Sequence, residues 1–103
     1  MNKDYYDEWV LNEKSFLTRL GEICKKFGIA DPDSIKFYSQ QDEDKYIVQY
    51  ILKEKIDDGV FLEIGACDGL LYSNTKTLED YFNFSGILIE PQKKFFRNLT
   101  HNR

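Results

Sequence analysis

FLEIGACDGLLYSNT, residues 61–75, decides the fold. An apolar run ends in the acid Glu63, and a turn holding Gly65 and Gly69 follows at once. The run Val60, Phe61, Leu62, Glu63 and Ile64 suits a short strand buried on both faces. A strand that only packs has no use for a carboxylate at its end. Glycine in the loop lets the backbone turn sharply and removes a Cβ that would block a ligand. A helix is predicted from about Ser73 to Phe82, capped by Ser73 and broken at Ser85 and Gly86. Its free amides point at the same space.

A second apolar run, Gly86, Ile87, Leu88 and Ile89, also ends in an acid, Glu90. Pro91 then suits the first turn of a last helix, with Phe95, Phe96 and Leu99 inward. The order from residue 60 is therefore strand, helix, strand, helix. That alternation predicts α/β structure with parallel strands. Ligands of such sheets bind beyond the carboxyl ends of the strands, where both acids fall.

Upstream, Trp9, Phe16, Leu20, Ile23 and Phe27, with Leu17 and Cys24 beside them, form one helical stripe over residues 5–27, and Gly28 ends it. After the breaker ADPDS, a second helix is predicted, capped by Ser39 or Asp42. Tyr46, Ile47, Tyr50 and Ile51 are its expected buried face. Asp57, Asp58 and Gly59 read as a turn.

The 103 residues suffice for one small domain, with 42% apolar, 31% charged and 16% aromatic residues. The net charge of −4 argues against a general nucleic-acid binder. No run approaches a membrane span, and the polar, acidic N-terminus lacks a secretory pattern, so the expected compartment is the cytoplasm. Cys24 and Cys67 are expected to be reduced thiols. With His101 as the sole histidine, no metal ligand set is expected, and no base stands ready to activate Cys67.

A dinucleotide fingerprint fits badly, because Cys67 and Leu70 stand where it needs glycine. A pyrophosphate is also repelled by Glu63. A cofactor with a cationic amino acid group and a sulfonium tolerates or uses that carboxylate, and S-adenosyl-L-methionine is one. Glu90 follows Gly69 at close to the ~20-residue offset of a ribose-binding acid, and it can accept two ribose hydroxyls.

The blocks SQQDED, FLEIGACDGLLYSNTKTLED and GILIEPQKKFFRNL resemble the start of the FkbM-type methyltransferases, in order, spacing and breaks. The resemblance covers residues 39–103. It implies the N-terminal portion of a class I, Rossmann-like methyltransferase fold: two parallel strands with helices, preceded by two helices. Residues 1–38 would be a helical extension, and 39–103 a truncated cofactor-binding domain.

Carried over, Glu63, Gly65, Ala66, Cys67 and Gly69 would form the cofactor loop. Asp68 and Asn74 would line or brace it, and Glu90 would hold the ribose. Ser39, Gln40, Glu43 and Asp44 would bring the preceding helix over the cofactor or the substrate mouth. Cys67 departs from the family's usual polar residue, which weakens a cofactor contact without closing the pocket.

The implied activity is O-methylation of a small-molecule or glycan hydroxyl. No base is named by these residues, and little or no turnover is expected from them alone. Two strands leave sheet edges unpaired. An alternative is therefore a non-enzymatic remnant or interaction module, with a protein partner or a second copy covering the open edge. A nicotinamide-dependent oxidoreductase fragment is a weaker third reading.

Overall fold

The computed structural model describes residues 13–54 and 57–103. Among the described residues the fold is α/β, with two parallel strands and four helices. Helix α1 spans Glu13–Phe27 and α2 spans Glu43–Glu54, with a short 3-10 turn at Pro32–Ser34 between them. Strand β1 (Val60–Ile64), α3 (Lys76–Tyr81), β2 (Ser85–Ile89) and α4 (Lys93–Asn102) follow. Trp9, expected on the first helix, lies outside the described residues, as does the side chain of Ile51.

The stripe of α1 points inward as its spacing requires. Phe16, Leu20, Ile23 and Cys24 are buried, while Leu17 is exposed. Gly28 takes φ 72°, and the amides of Gly28 and Ile29 bond back to the carbonyls of Lys25 and Cys24. That pair of bonds is a Schellman ending. The core then continues through Ile35, Val48, Leu78 and Phe82. The edge-on pair Phe27 on Phe82 at 5.4 Å joins residues on either side of position 39 in one core, and Phe16 packs edge-on against Phe37 at 5.8 Å.

Helix α2 starts directly after Asp42, one of the two expected cap positions, but differs from expectation in phase. It begins at Glu43, and Asp42 sits before it in the left-handed region at φ 62°. Its inner face carries Asp44 and Val48, with Ile47 packed beside them, whereas Tyr50 is exposed. The cause is Asp44, fully buried at 0% exposure. Its carboxylate accepts the amides of Tyr38 at 2.7 Å, Ser39 at 3.1 Å and Lys45 at 2.9 Å. The Thr77 hydroxyl lies 3.3 Å away. Those bonds fix the rotation of α2 more strongly than its tyrosines do.

The strands pair in register, with Val60 opposite Ser85 and Ile64 opposite Ile89. Helix α3 supplies the crossover that a parallel pair requires. It is shorter than expected, and it ends where Asn83 turns at φ 59°; Ser85 and Gly86 belong to β2 rather than to a break.

The expectation of a strand buried on both faces is corrected. Phe61, Glu63 and Leu88 face the helices and are half-buried. On the opposite face Val60 is 79% exposed, Leu62 60% and Ile64 74%, with Ile87 and Ile89 beside them. Alternation puts these five aliphatic side chains on one side. The helices that follow the two strands lie against the other. In α4 only Leu99 is buried; Phe95 is half-buried and Phe96 is exposed, so the expected inward trio is reduced to one anchor.

Candidate functional site

The carboxyl ends of β1 and β2 meet in a loop that folds back on itself. The amides of Gly65 and Ala66 both bond the Ile89 carbonyl, at 2.8 and 3.0 Å, and so extend the pairing past β1. This brings the Cys67 amide 2.8 Å from Oε1 of Glu90. The other oxygen of Glu90 accepts the Gln92 amide at 2.9 Å. Glu90 therefore ties the loop to the entrance of α4. A carboxylate has about four acceptor positions, so each oxygen keeps one for a guest.

Strand alternation carried one residue past the end of β2 puts Glu63 and Glu90 on the same face. Glu63 pairs in register with Leu88, and Glu90 is two residues beyond Leu88. One oxygen of Glu63, Oε1, accepts two hydroxyls, Thr75 at 2.5 Å and Ser73 at 3.2 Å. Its Oε2 has no hydrogen bond among the described residues, and it is not a buried unpaired atom. It is the open acceptor of the rim.

The loop is held from both flanks. Asp68 folds its carboxylate onto the amides of Leu70 and Leu71, at 2.9 and 2.8 Å. The Asn74 side chain accepts the Ser39 hydroxyl at 2.6 Å, and the Ser39 oxygen accepts the Asp44 amide at 3.0 Å. This chain of bonds brings the start of α2 to the rim. Gln40 is exposed, and Glu43 bonds the Gln41 amide at its own helix start. Ala66 is buried, and Cys67 is half-buried with φ 56°, a left-handed conformation that disfavours a Cβ.

The two glycines part company. Gly65, at φ 77°, has open space where a Cβ would be. Gly69, at φ 86°, faces protein instead: a Cβ there would lie 2.5 Å from Cγ of Arg103 and 2.7 Å from Cδ1 of Leu99. Gly69 thus makes room for α4, whereas Gly65 borders open space.

Arg103 is a rim residue that sequence reasoning missed. Its side chain is only 2% exposed and pairs with Glu79. Nη1 donates to the Gly69 carbonyl at 2.9 Å and to Ser73 at 3.2 Å, and Nη2 donates to Thr75 at 3.2 Å. The guanidinium also lies over the Phe61 ring at 5.8 Å. Asn102 beside it donates to the Asp68 carbonyl at 2.8 Å. The one signal available was spacing: Phe95, Leu99 and Arg103 recur every four residues on a helix.

The loop and its flanks carry four carboxylates, Glu63, Asp68, Glu79 and Glu90; the Arg103 guanidinium pairs with Glu79, and Lys76 pairs off with Asp80. The rim is negative. A separate hollow of about 200 Å³ lies between α1 and the 3-10 turn, lined by Phe16, Leu20, Pro32, Phe37 and Lys45 among others, and shares no residue with the rim. Among the described residues no group of three His, Cys, Asp or Glu could hold a metal ion, and no helix is long and apolar enough to cross a membrane. Comparisons with protein-family models, with curated proteins and with solved structures found no significant match.

Proposed function

We propose that these residues form the cofactor-binding front part of an S-adenosyl-L-methionine-dependent O-methyltransferase of class I fold, acting on a small-molecule or glycan hydroxyl. The observation that carries this reading is the pair Glu63 and Glu90 on one face at the strand ends, beside an open Gly65. The donor set fits such a cofactor at two points. Oε2 of Glu63 is free to accept a cationic amino group, and the remaining acceptor positions of Glu90 suit ribose hydroxyls. When bound, the cofactor supplies a methyl group on a positively charged sulfur. The negative rim favours that charge and repels a pyrophosphate, which counts against a nicotinamide cofactor.

The protein's part is to bind and orient, and well-ordered positioning can supply roughly 7–11 kcal/mol of a transfer barrier. The described residues offer an ordered rim and no assigned base, so cofactor binding without turnover is the expected behaviour. Calorimetric titration with S-adenosylhomocysteine tests the reading. Binding that weakens at least tenfold in Glu90→Ala supports it, since a lost hydrogen bond pair to a charged group is worth about that or more. No binding by the unmodified chain, or equal binding by the variant, defeats it.

A second reading is favoured by the bare outer face of the sheet, with Val60, Leu62, Ile64, Ile87 and Ile89 in one patch. Parallel strands are ordinarily covered on both faces. A non-enzymatic interaction module would use that patch and ignore the cofactor. Thermal melting with and without S-adenosylhomocysteine separates the two, because only a ligand that binds the folded state raises the midpoint.

A further inference from the structure

We propose that Arg103 is a positioning residue for Glu63, acting through the hydroxyl of Thr75. The proposal rests on Glu63 being the acid that meets the guest. A threonine hydroxyl has one proton and can either donate to Glu63 or turn away. In the structure Thr75 Oγ1 lies 2.5 Å from Oε1 of Glu63 and 3.2 Å from Nη2 of Arg103. A guanidinium can only donate. By filling an acceptor position of Thr75, it leaves the threonine proton for Glu63.

Nη1 of Arg103 also donates to the Ser73 oxygen at 3.2 Å, but Ser73 does not depend on that contact to direct its proton. Its oxygen already accepts the amides of Thr75 and Lys76, at 3.2 and 3.0 Å, so its proton is committed to Glu63 without help. Thr75 has no such backbone donor among the described bonds; Arg103 is the group that sets it. With both hydroxyls on Oε1, the carboxylate is held by one oxygen and presents the other. Burial makes the arrangement rigid. Arg103 is clamped by Glu79, the Gly69 carbonyl and the Phe61 ring, so it cannot follow a moving hydroxyl.

The test is a cycle of variants of the full 103-residue chain. S-adenosylhomocysteine affinity is measured for Arg103→Met, Thr75→Val, the two combined, Thr75→Ser and Glu79→Gln. Arg103→Met and Thr75→Val should each weaken binding about tenfold, the loss of one hydrogen bond to a charged group. The combined variant should be no weaker than either alone, and Thr75→Ser should bind as the unmodified chain does. Glu79→Gln should stay within about twofold, since it leaves the Thr75 contact in place. Losses that multiply in the combined variant, or a Glu79→Gln loss equal to that of Arg103→Met, overturn the proposal.

If the unmodified chain binds no S-adenosylhomocysteine, the cofactor reading falls and the relay is judged by melting midpoints instead. Arg103→Met should then lower the midpoint less in a Glu63→Gln background than in the unmodified one; equal shifts overturn it. Arg103→Gln replaces Arg103→Met in either cycle should the latter fail to melt cooperatively.

Discussion

Two carboxylates, Asp44 in the helical half and Glu63 at the strand rim, are both held by amides or hydroxyls, yet they differ in one respect. Asp44 is sealed, and both of its oxygens are engaged. Glu63 is half-buried, and one of its oxygens has no partner among the described residues. A saturated carboxylate without water is a structural knot. A carboxylate with one oxygen tied and one open is preorganised for something that arrives later. The same contrast runs through the two halves: the helices enclose a core of aromatic and aliphatic side chains, while the sheet leaves one face bare.

The sharpest way to break this contrast is Asp44→Ala. It strips the partner from the amides of Tyr38, Ser39 and Lys45 in a dry site. Leaving buried donors unpaired costs about 1–3 kcal/mol each, and a small domain has only ~5–15 kcal/mol in total. The expected outcome is a chain with no cooperative thermal transition by circular dichroism. Asp44→Asn keeps an acceptor and should retain one.

Next in size is Phe82→Ala, at the centre of the core. Phe82 is fully buried against the Phe27 ring, so the loss should be about 3–5 kcal/mol in urea unfolding. Leu62→Ser on the bare face should stay within about 0.5 kcal/mol, as an exposed position does. A large loss at Leu62 would mean that the sheet's outer face is covered in solution, by a second copy or by another segment of the protein.

Glu63→Gln separates the two acids by function. It removes the charge but keeps an oxygen for Thr75 and Ser73, so stability should change by no more than about 1 kcal/mol. S-adenosylhomocysteine affinity should nevertheless fall about tenfold or more. If stability collapses instead, Glu63 is a knot like Asp44 and the contrast between them disappears.

What could be read from the sequence was short-range. The extent of β1, the acids at both strand ends, the turn at Gly65 and the Gly28 helix ending each depend on neighbours within a few residues. The phase of α2 was not legible. Asp44 in a first helical turn reads as a partner for the helix dipole, and only contacts with Tyr38, Ser39 and the distant Thr77 draw it inside. Arg103 was illegible for the same reason, since its partners lie 24 to 34 residues away. The bare sheet face was hidden by a correct local observation. An apolar run suits a strand covered on both sides, but the run cannot say which layers are there.

The smallest effect probes how dry the closed half is. Cys24 is buried in the core, and burial first, then the nearby charge of Asp31, pushes its thiol above the ordinary range. The native state therefore holds that proton more tightly than the unfolded chain, whose thiol titrates near pH ~8.5. Below that value both states are protonated and Cys24 contributes no pH dependence. Above it the unfolded state releases its proton first, so stability falls as pH rises until the native thiol also ionises. The melting midpoint should accordingly drop between about pH 8 and pH 10. The informative quantity is the difference from Cys24→Ala. That variant should melt lower at neutral pH, because it opens a small gap, yet lose less on going to pH ~10. Parallel curves would mean that water reaches Cys24, and the helical core would then be as open as the rim.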